Sequence, residues 1–126
     1  MAVLEARNLY KSYGTVKALD DVSIEIDDAE LLAVIGPSGS GKTTLLRSIA
    51  GFVQLDSGKI FIKSKDITEL PPEKRNVAMF FQNYALWPHM TVFENVEVGA
   101  RLSHNPLDVT KVLKEVMLND LYHQFP

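Results

Sequence analysis

The alternation of apolar and polar positions changes rhythm several times along this chain. Ser23-Ile24-Glu25-Ile26-Asp27 alternates cleanly, which predicts a half-exposed antiparallel strand. Residues 3–10 alternate more loosely and also read as a strand. Asp27-Asp28-Ala29-Glu30 is a polar turn. Leu31-Leu32-Ala33-Val34-Ile35 is short and apolar throughout, the pattern of a strand buried on both faces. A helical segment is predicted from Thr43 to Ala50. Asp56-Ser57-Gly58 turns the chain into Lys59-Ile60-Phe61-Ile62-Lys63, another alternating strand, and Pro71-Pro72 marks a loop. Residues 77–81 are again continuously apolar and predict a second buried strand.

The last third reads as helical. Trp87-Pro88-His89 breaks the chain direction. Thr91-Val92-Phe93-Glu94 is a capping-box pattern, and the helix it opens places Val92, Phe93, Val96, Gly99 and Ala100 on one face. A second helix is predicted to start with Asn105 as cap and Pro106 in its first position. Val109, Val112, Leu113, Val116, Met117 and Leu121 form its packing stripe. No repeat or low-complexity linker interrupts this order. Antiparallel strands come first, an α/β centre second and two helices last.

Composition narrows the function classes. The 126 residues suit one modest domain, and 13 basic against 16 acidic residues give a net charge of −3. No basic field points to nucleic acid. Without cysteine there is neither a disulfide framework nor a thiolate metal site. The first ten residues lack the apolar core of a signal peptide, and no apolar run approaches the ~20 residues that span a bilayer. These features predict a cytoplasmic chain with no direct membrane insertion, whose membrane role, if any, comes through a partner.

The chemistry concentrates in Gly36-Pro37-Ser38-Gly39-Ser40-Gly41-Lys42-Thr43-Thr44. It fits GxxxxGK[ST], follows an apolar run and opens a predicted helix, the context this phosphate-binding pattern requires. A triphosphate is a dense negative cluster that backbone N–H groups can meet directly. Gly36, Gly39 and Gly41 leave room for that approach and permit positive φ. The helix N-terminus adds unpaired N–H groups and the positive dipole end. Lys42 supplies a mobile charge for the outer phosphates. The Thr43 hydroxyl suits Mg²⁺, a hard cation, whereas Thr44 reads as an ordinary first-turn residue. The loop predicts a nucleoside-triphosphate binder.

Four segments together support a family resemblance. They are the Tyr13-Gly14 region with Ala18-Leu19-Asp20-Asp21-Val22-Ser23, the phosphate loop, Ser57-Gly58-Lys59-Ile60 with its strand, and the long run from Val77 to Val96. From about Leu4 to its last residue the chain resembles the N-terminal half of an ABC-type ATPase, the nucleotide-binding subunit of ATP-binding-cassette transporters. The run from Val77 looks like the importers of sugars, polyamines and related solutes. The resemblance implies an α/β fold: a P-loop NTPase core with an N-terminal antiparallel β subdomain, together about residues 1–90, and the start of an α-helical subdomain, about 91–126. It implies ATP and Mg²⁺ as cofactors. Lys42 and Gln82 become catalytic groups, Thr43 and Gln82 metal ligands, and residues 36–44 the phosphate cradle.

Tyr13 stands where the family places an aromatic that stacks on adenine; from the residues alone Tyr10 is its rival. Gln82 matches the Q-loop glutamine that contacts Mg²⁺ and the attacking water. Read without the family it is a polar residue ending a buried strand. The stretch from Tyr84 to Met90 corresponds to the surface that docks transmembrane permease subunits. Trp87 reads either as an anchor there or as a core aromatic. The other implied partner is a second ATP-binding subunit, and the implied location is peripheral on the inner face of the cell membrane.

Departures from the family pattern set further expectations. Ala29 stands where the family usually has Gly, so either Ala29 or Asp28 carries a left-handed turn. His123-Gln124-Phe125-Pro126 resembles the run before the LSGGQ signature, and neither the signature nor the family's later acidic residues and switch histidine occur in these residues. This predicts weak nucleotide binding with little or no turnover for the chain alone, an unpaired strand beside residues 31–35, and self-association or marginal stability. A nucleotide-binding module without turnover and a non-transport ABC ATPase are the alternative readings.

Overall fold

The protein is described from a computed structural model covering residues 1–103 and 107–126. It forms two compact units, Met1–Met79 and Phe80–Pro126.

The first unit is built on a four-stranded antiparallel sheet. Strands β1 (Ala2–Tyr13), β2 (Val16–Asp27), β3 (Ser57–Ile62) and β4 (Lys65–Asp66) lie in the order β2-β1-β3-β4. Both long strands outrun the clean alternation because bulges reset their phase. The β1–β2 register shifts between Ala6 and Leu9, where Asn8 takes φ 50°, and again between Leu9 and Lys11, opposite Asp21 at φ 56°. Asn8 Nδ2 donates to Asp21 Oδ1 at 2.8 Å, tying one bulge to the other. The first bulge keeps Leu9 on the core side with Ala6, and the second does the same for Leu19 after Val22. Lys63 and Ser64 both hold positive φ and close the β3–β4 hairpin as a type I′ turn does.

One helix covers this sheet. In α1 (Lys42–Ala50), Leu45, Ser48 and Ile49 recur at i, i+3 and i+4 and are buried. Leu45 and Ile49 join Ala6, Leu9, Leu19, Ile60 and Ile67 in the core. Each large apolar side chain so buried is worth roughly 1.5–3 kcal/mol. Gly51 ends α1 at φ 92°, with Phe52 N–H donating to Arg47 O at 2.8 Å. The Pro71-Pro72 loop contains one 3₁₀ turn, Pro72–Lys74.

The two continuously apolar runs do not form strands. Residues 31–35 and 77–81 carry no regular secondary structure and join no ladder. Leu31 is 95% exposed, Ile35 92% and Phe80 98%. A strand exists only where a neighbour completes its hydrogen bonds, and among the described residues these segments have no strand neighbour. An unbroken apolar pattern registers the demand for cover on both faces, not its presence.

The second unit holds α2 (Val92–Leu102) and α3 (Val109–Glu115). The capping box is formed: Glu94 N donates to Thr91 Oγ1 at 3.2 Å and Thr91 N to Glu94 Oε2 at 2.7 Å. Two further orphan amides, Val92 N and Phe93 N, donate to Gln124 O and Tyr122 O. The predicted start at Asn105 and Pro106 lies outside the described residues. The helix itself begins later, at Val109, with Asp108 Oδ1 accepting from Lys111 N. It also ends earlier than its apolar stripe. Met117 takes φ 61°, and Met117 N and Leu118 N donate to Lys114 O and Leu113 O, a Schellman closure without glycine. Val109 and Leu113 are buried, while Val116 and Met117 are exposed.

Candidate functional site

The phosphate loop joins residues 31–35 to α1. Gly41 is the pivot, at φ 92°. A Cβ there would lie 2.1 Å from Ala18 O, so β2 packs against the loop where only hydrogen fits. Gly39 also holds positive φ, at 80°. Gly36 does not, which corrects the expectation for it; it serves by leaving room, since a Cβ would meet Ser40 Oγ at 2.8 Å. Ser40 N donates to Pro37 O at 3.2 Å, and the intrahelical ladder starts with Leu45 N to Gly41 O at 2.9 Å.

That start leaves the amides of Lys42, Thr43 and Thr44 without an acceptor among the described residues. No side chain caps the helix. Three N–H groups and the positive end of α1 therefore converge behind an exposed loop, Gly36, Pro37, Ser38, Gly39 and Ser40. Lys42 folds over the loop, with Nζ donating to Gly36 O and Pro37 O at 2.6 Å each and to Ser40 Oγ at 3.0 Å. Its three protons are satisfied by three acceptors, so binding a phosphate means exchanging at least one of them. Thr43 is exposed and Thr44 half-buried, which leaves the Thr43 hydroxyl the better placed for a cation. These residues fit a polyphosphate: unpaired donors, a cationic head and a backbone no Cβ obstructs.

Sequence reasoning missed the far end of the same helix. Arg75 is 6% exposed and spends its guanidinium on carbonyls. Nη1 donates to Ser48 O at 2.9 Å and Ile49 O at 3.1 Å, Nε to Leu70 O at 2.6 Å and Nη2 to Thr68 O at 2.7 Å. It thus closes the negative end of α1 and ties it to the loop after β4. Burial pushes its pKa down, opposed by the charge of Glu69. The only sequence signal was a lone arginine after the diproline loop.

The two aromatic rivals occupy different surroundings. Tyr13 ends β1, is 50% exposed, and carries Lys11 Nζ at 5.3 Å from its ring centroid. Tyr10 lines a separate groove with Arg7, Ser57, Lys59 and Phe61. Partial burial, then the Asp21 carboxylate, raises its phenol pKa.

Gln82 belongs to the second unit. It sits exposed in a turn, which corrects its expected place at the end of a buried strand. Tyr84 N donates to Phe81 O at 2.9 Å, and Tyr84 and Ala85 both hold positive φ. Trp87 is 44% exposed, against the core reading. Its loop hangs on Asn95, a second residue missed from sequence. Asn95 Oδ1 accepts from Trp87 N, and Nδ2 donates to the carbonyls of Trp87, Met90 and Thr91 at 3.0–3.1 Å. Among the described residues no cluster of His, Cys, Asp and Glu could hold a metal, and no helix is long and apolar enough to cross a membrane.

Comparison with known proteins converges on one family. A family model described as ABC transporter matches residues 19–126. The sulfate/thiosulfate import ATP-binding protein CysA of Nocardia farcinica is 45% identical over 129 residues, 98% of this chain and 39% of its own length. The spermidine/putrescine import ATP-binding protein PotA of Nitrosomonas eutropha is 47% identical over 131 residues, 100% of this chain and 36% of its own. The chain therefore spans a little over a third of these curated relatives. Among solved structures, the ADP conformation of the ATP-binding cassette MJ1267 superposes with a TM-score of 0.83 at 31% identity, covering 99% of this chain and 57% of that one. The dimeric cassette MJ0796 bound to ADP and Pi gives 0.83 at 25% identity, covering 98% and 61%. The α/β cassette fold and the matched residues together place the chain in the ABC transporter family.

Proposed function

We propose that this chain supplies the nucleotide-binding part of an importer ATPase, with ATP held at the loop 36–44 and its binding and hydrolysis coupled to solute uptake. The observation that carries the reading is the N-terminus of α1. Amides of Lys42, Thr43 and Thr44 without an acceptor among the described residues stand behind Gly41, where a Cβ would lie 2.1 Å from Ala18 O of β2. Lys42 meets the outer phosphates, Thr43 ligates Mg²⁺, and Tyr13 offers a face to adenine. Mg²⁺ when bound neutralises phosphate charge. By the resemblance alone, Gln82 would be a further Mg²⁺ ligand and would orient the attacking water.

The surface from Tyr84 to Met90, with Trp87 exposed and Asn95 holding its loop, is the proposed contact with transmembrane permease subunits. A second ATP-binding subunit is the other proposed partner, and the location is peripheral on the cytoplasmic face of the membrane. The solute is not encoded here. One relative is named for anions, sulfate and thiosulfate, and another for the polycations spermidine and putrescine, yet both match this chain at 45–47% identity.

ATP titrations with and without Mg²⁺, on the chain and on Thr43→Val and Lys42→Ala, test the reading. The native chain should bind more tightly with Mg²⁺, Thr43→Val should lose that gain, and Lys42→Ala should lose most affinity. Equal affinity in all three would refute it.

A further inference from the structure

Tyr13 is not a free ring at a strand end. Lys11 Nζ lies over one of its faces, 5.3 Å from the centroid. The same Nζ is 3.4 Å from Asp56 Oδ1, and the other Asp56 oxygen accepts from Ser12 N at 2.7 Å. Asp56 N in turn donates to Tyr10 O at 2.9 Å. One carboxylate-bearing residue in the turn before β3 therefore grips Tyr10, Lys11 and Ser12 in succession. The Lys11 side chain is 18% exposed, unusually covered for a lysine, whereas Tyr13 keeps half its surface open.

We propose that Lys11, tethered by Asp56, is a positioning residue for base recognition at Tyr13. The inference rests on the reading of Tyr13 as the platform for the nucleotide base. Two physical effects carry it. A cation over one face fixes the ring, so less orientational freedom is lost when a base stacks on the other. The cation also draws π density toward itself, which lowers the face-to-face repulsion a second aromatic meets on the open side. Lys11 touches no phosphate in this account; it acts through the ring.

Two ligands separate base from phosphate: Mg-ATP and inorganic tripolyphosphate. Affinities for both are measured on the full chain and on Tyr13→Ala, Lys11→Met, Lys11→Arg and the Tyr13→Ala/Lys11→Met double variant. Lys11→Met should weaken ATP about two- to fivefold, Lys11→Arg should restore it, and tripolyphosphate should be unmoved. The double variant should bind ATP no worse than Tyr13→Ala. Retained tripolyphosphate binding also shows that each variant is folded. If Tyr13→Ala weakens ATP but Lys11→Met does not, the role of Lys11 is overturned and the platform stands. If Lys11→Met weakens both ligands alike, Lys11 acts on phosphate or on the fold, and the proposal fails. If Tyr13→Ala leaves ATP unchanged, the platform reading itself falls, and this inference with it.

Discussion

Single residues bear measurable strain and charge in this fold. Ala29 takes φ 59°, so the left-handed turn before the phosphate loop falls on alanine and not on Asp28. A left-handed non-glycine residue costs about 1–2 kcal/mol, partly offset in glycine by the entropy of its unfolded state. Ala29→Gly should leave the melting temperature unchanged or slightly higher; a clear drop would reject strain there. The fold holds the Asp66 carboxyl well below its ordinary range. Its carboxylate accepts from Thr68 Oγ1 at 2.6 Å, Thr68 N at 2.9 Å and Lys59 Nζ at 3.1 Å. The Thr68 bonds come first among the causes, and they take its pKa from an ordinary 3.8 to about 2. A depressed carboxylate contributes stability that is full above the unfolded value and lost as pH falls through the folded one. The stability difference between the native chain and Asp66→Asn should therefore be constant above about pH 5 and shrink progressively as pH falls through about 2. A difference independent of pH across that window would refute the assignment.

At the scale of elements, α1 is held at both ends, and only one end could be read from the sequence. The glycine pattern and the following helix located its N-terminus because the spacing is dictated by phosphate chemistry. Its C-terminus depends on Arg75, 25 residues beyond the helix's last residue Ala50, whose partners are carbonyls and so leave no complementary side chain to notice. Arg75→Met removes this donor from all four carbonyls, leaving Ser48 O only the Gly51 amide at 3.3 Å, and should destabilise the chain by about 3 kcal/mol or more in urea unfolding. Arg75→Lys should recover only part, because an ammonium cannot span four carbonyls in a fork. A loss under ~0.5 kcal/mol for Arg75→Met would contradict this. Other elements sort the same way. The capping box at Thr91 and Glu94 was legible because both partners are local. The far reach of β1 and β2 was not, because bulges at Asn8 and Asp21 shift the period of two. Nor was the end of α3, where Met117 adopts a conformation that sequence patterns assign to glycine.

For the molecule as a whole, the sequence carried the family and the loop, while the apolar runs at 31–35 and 77–81 misled because burial is a property of an assembly. With Leu31 and Ile35 almost fully exposed beside unpaired backbone, the chain should self-associate. Sedimentation velocity should show mass rising with concentration, and Leu31→Glu with Ile35→Lys should suppress the rise; a monomer at every concentration would contradict it. The central claim is narrower: a backbone cradle at the start of α1 binds polyphosphate. It is tested most directly by calorimetric titration of Mg-ATP into the native chain and into Gly41→Ala, where the added methyl would meet Ala18 O at 2.1 Å. The account predicts saturable one-site binding to the native chain and none to the variant. A folded native chain that takes up no Mg-ATP, or a Gly41→Ala variant that binds it equally well, would contradict it.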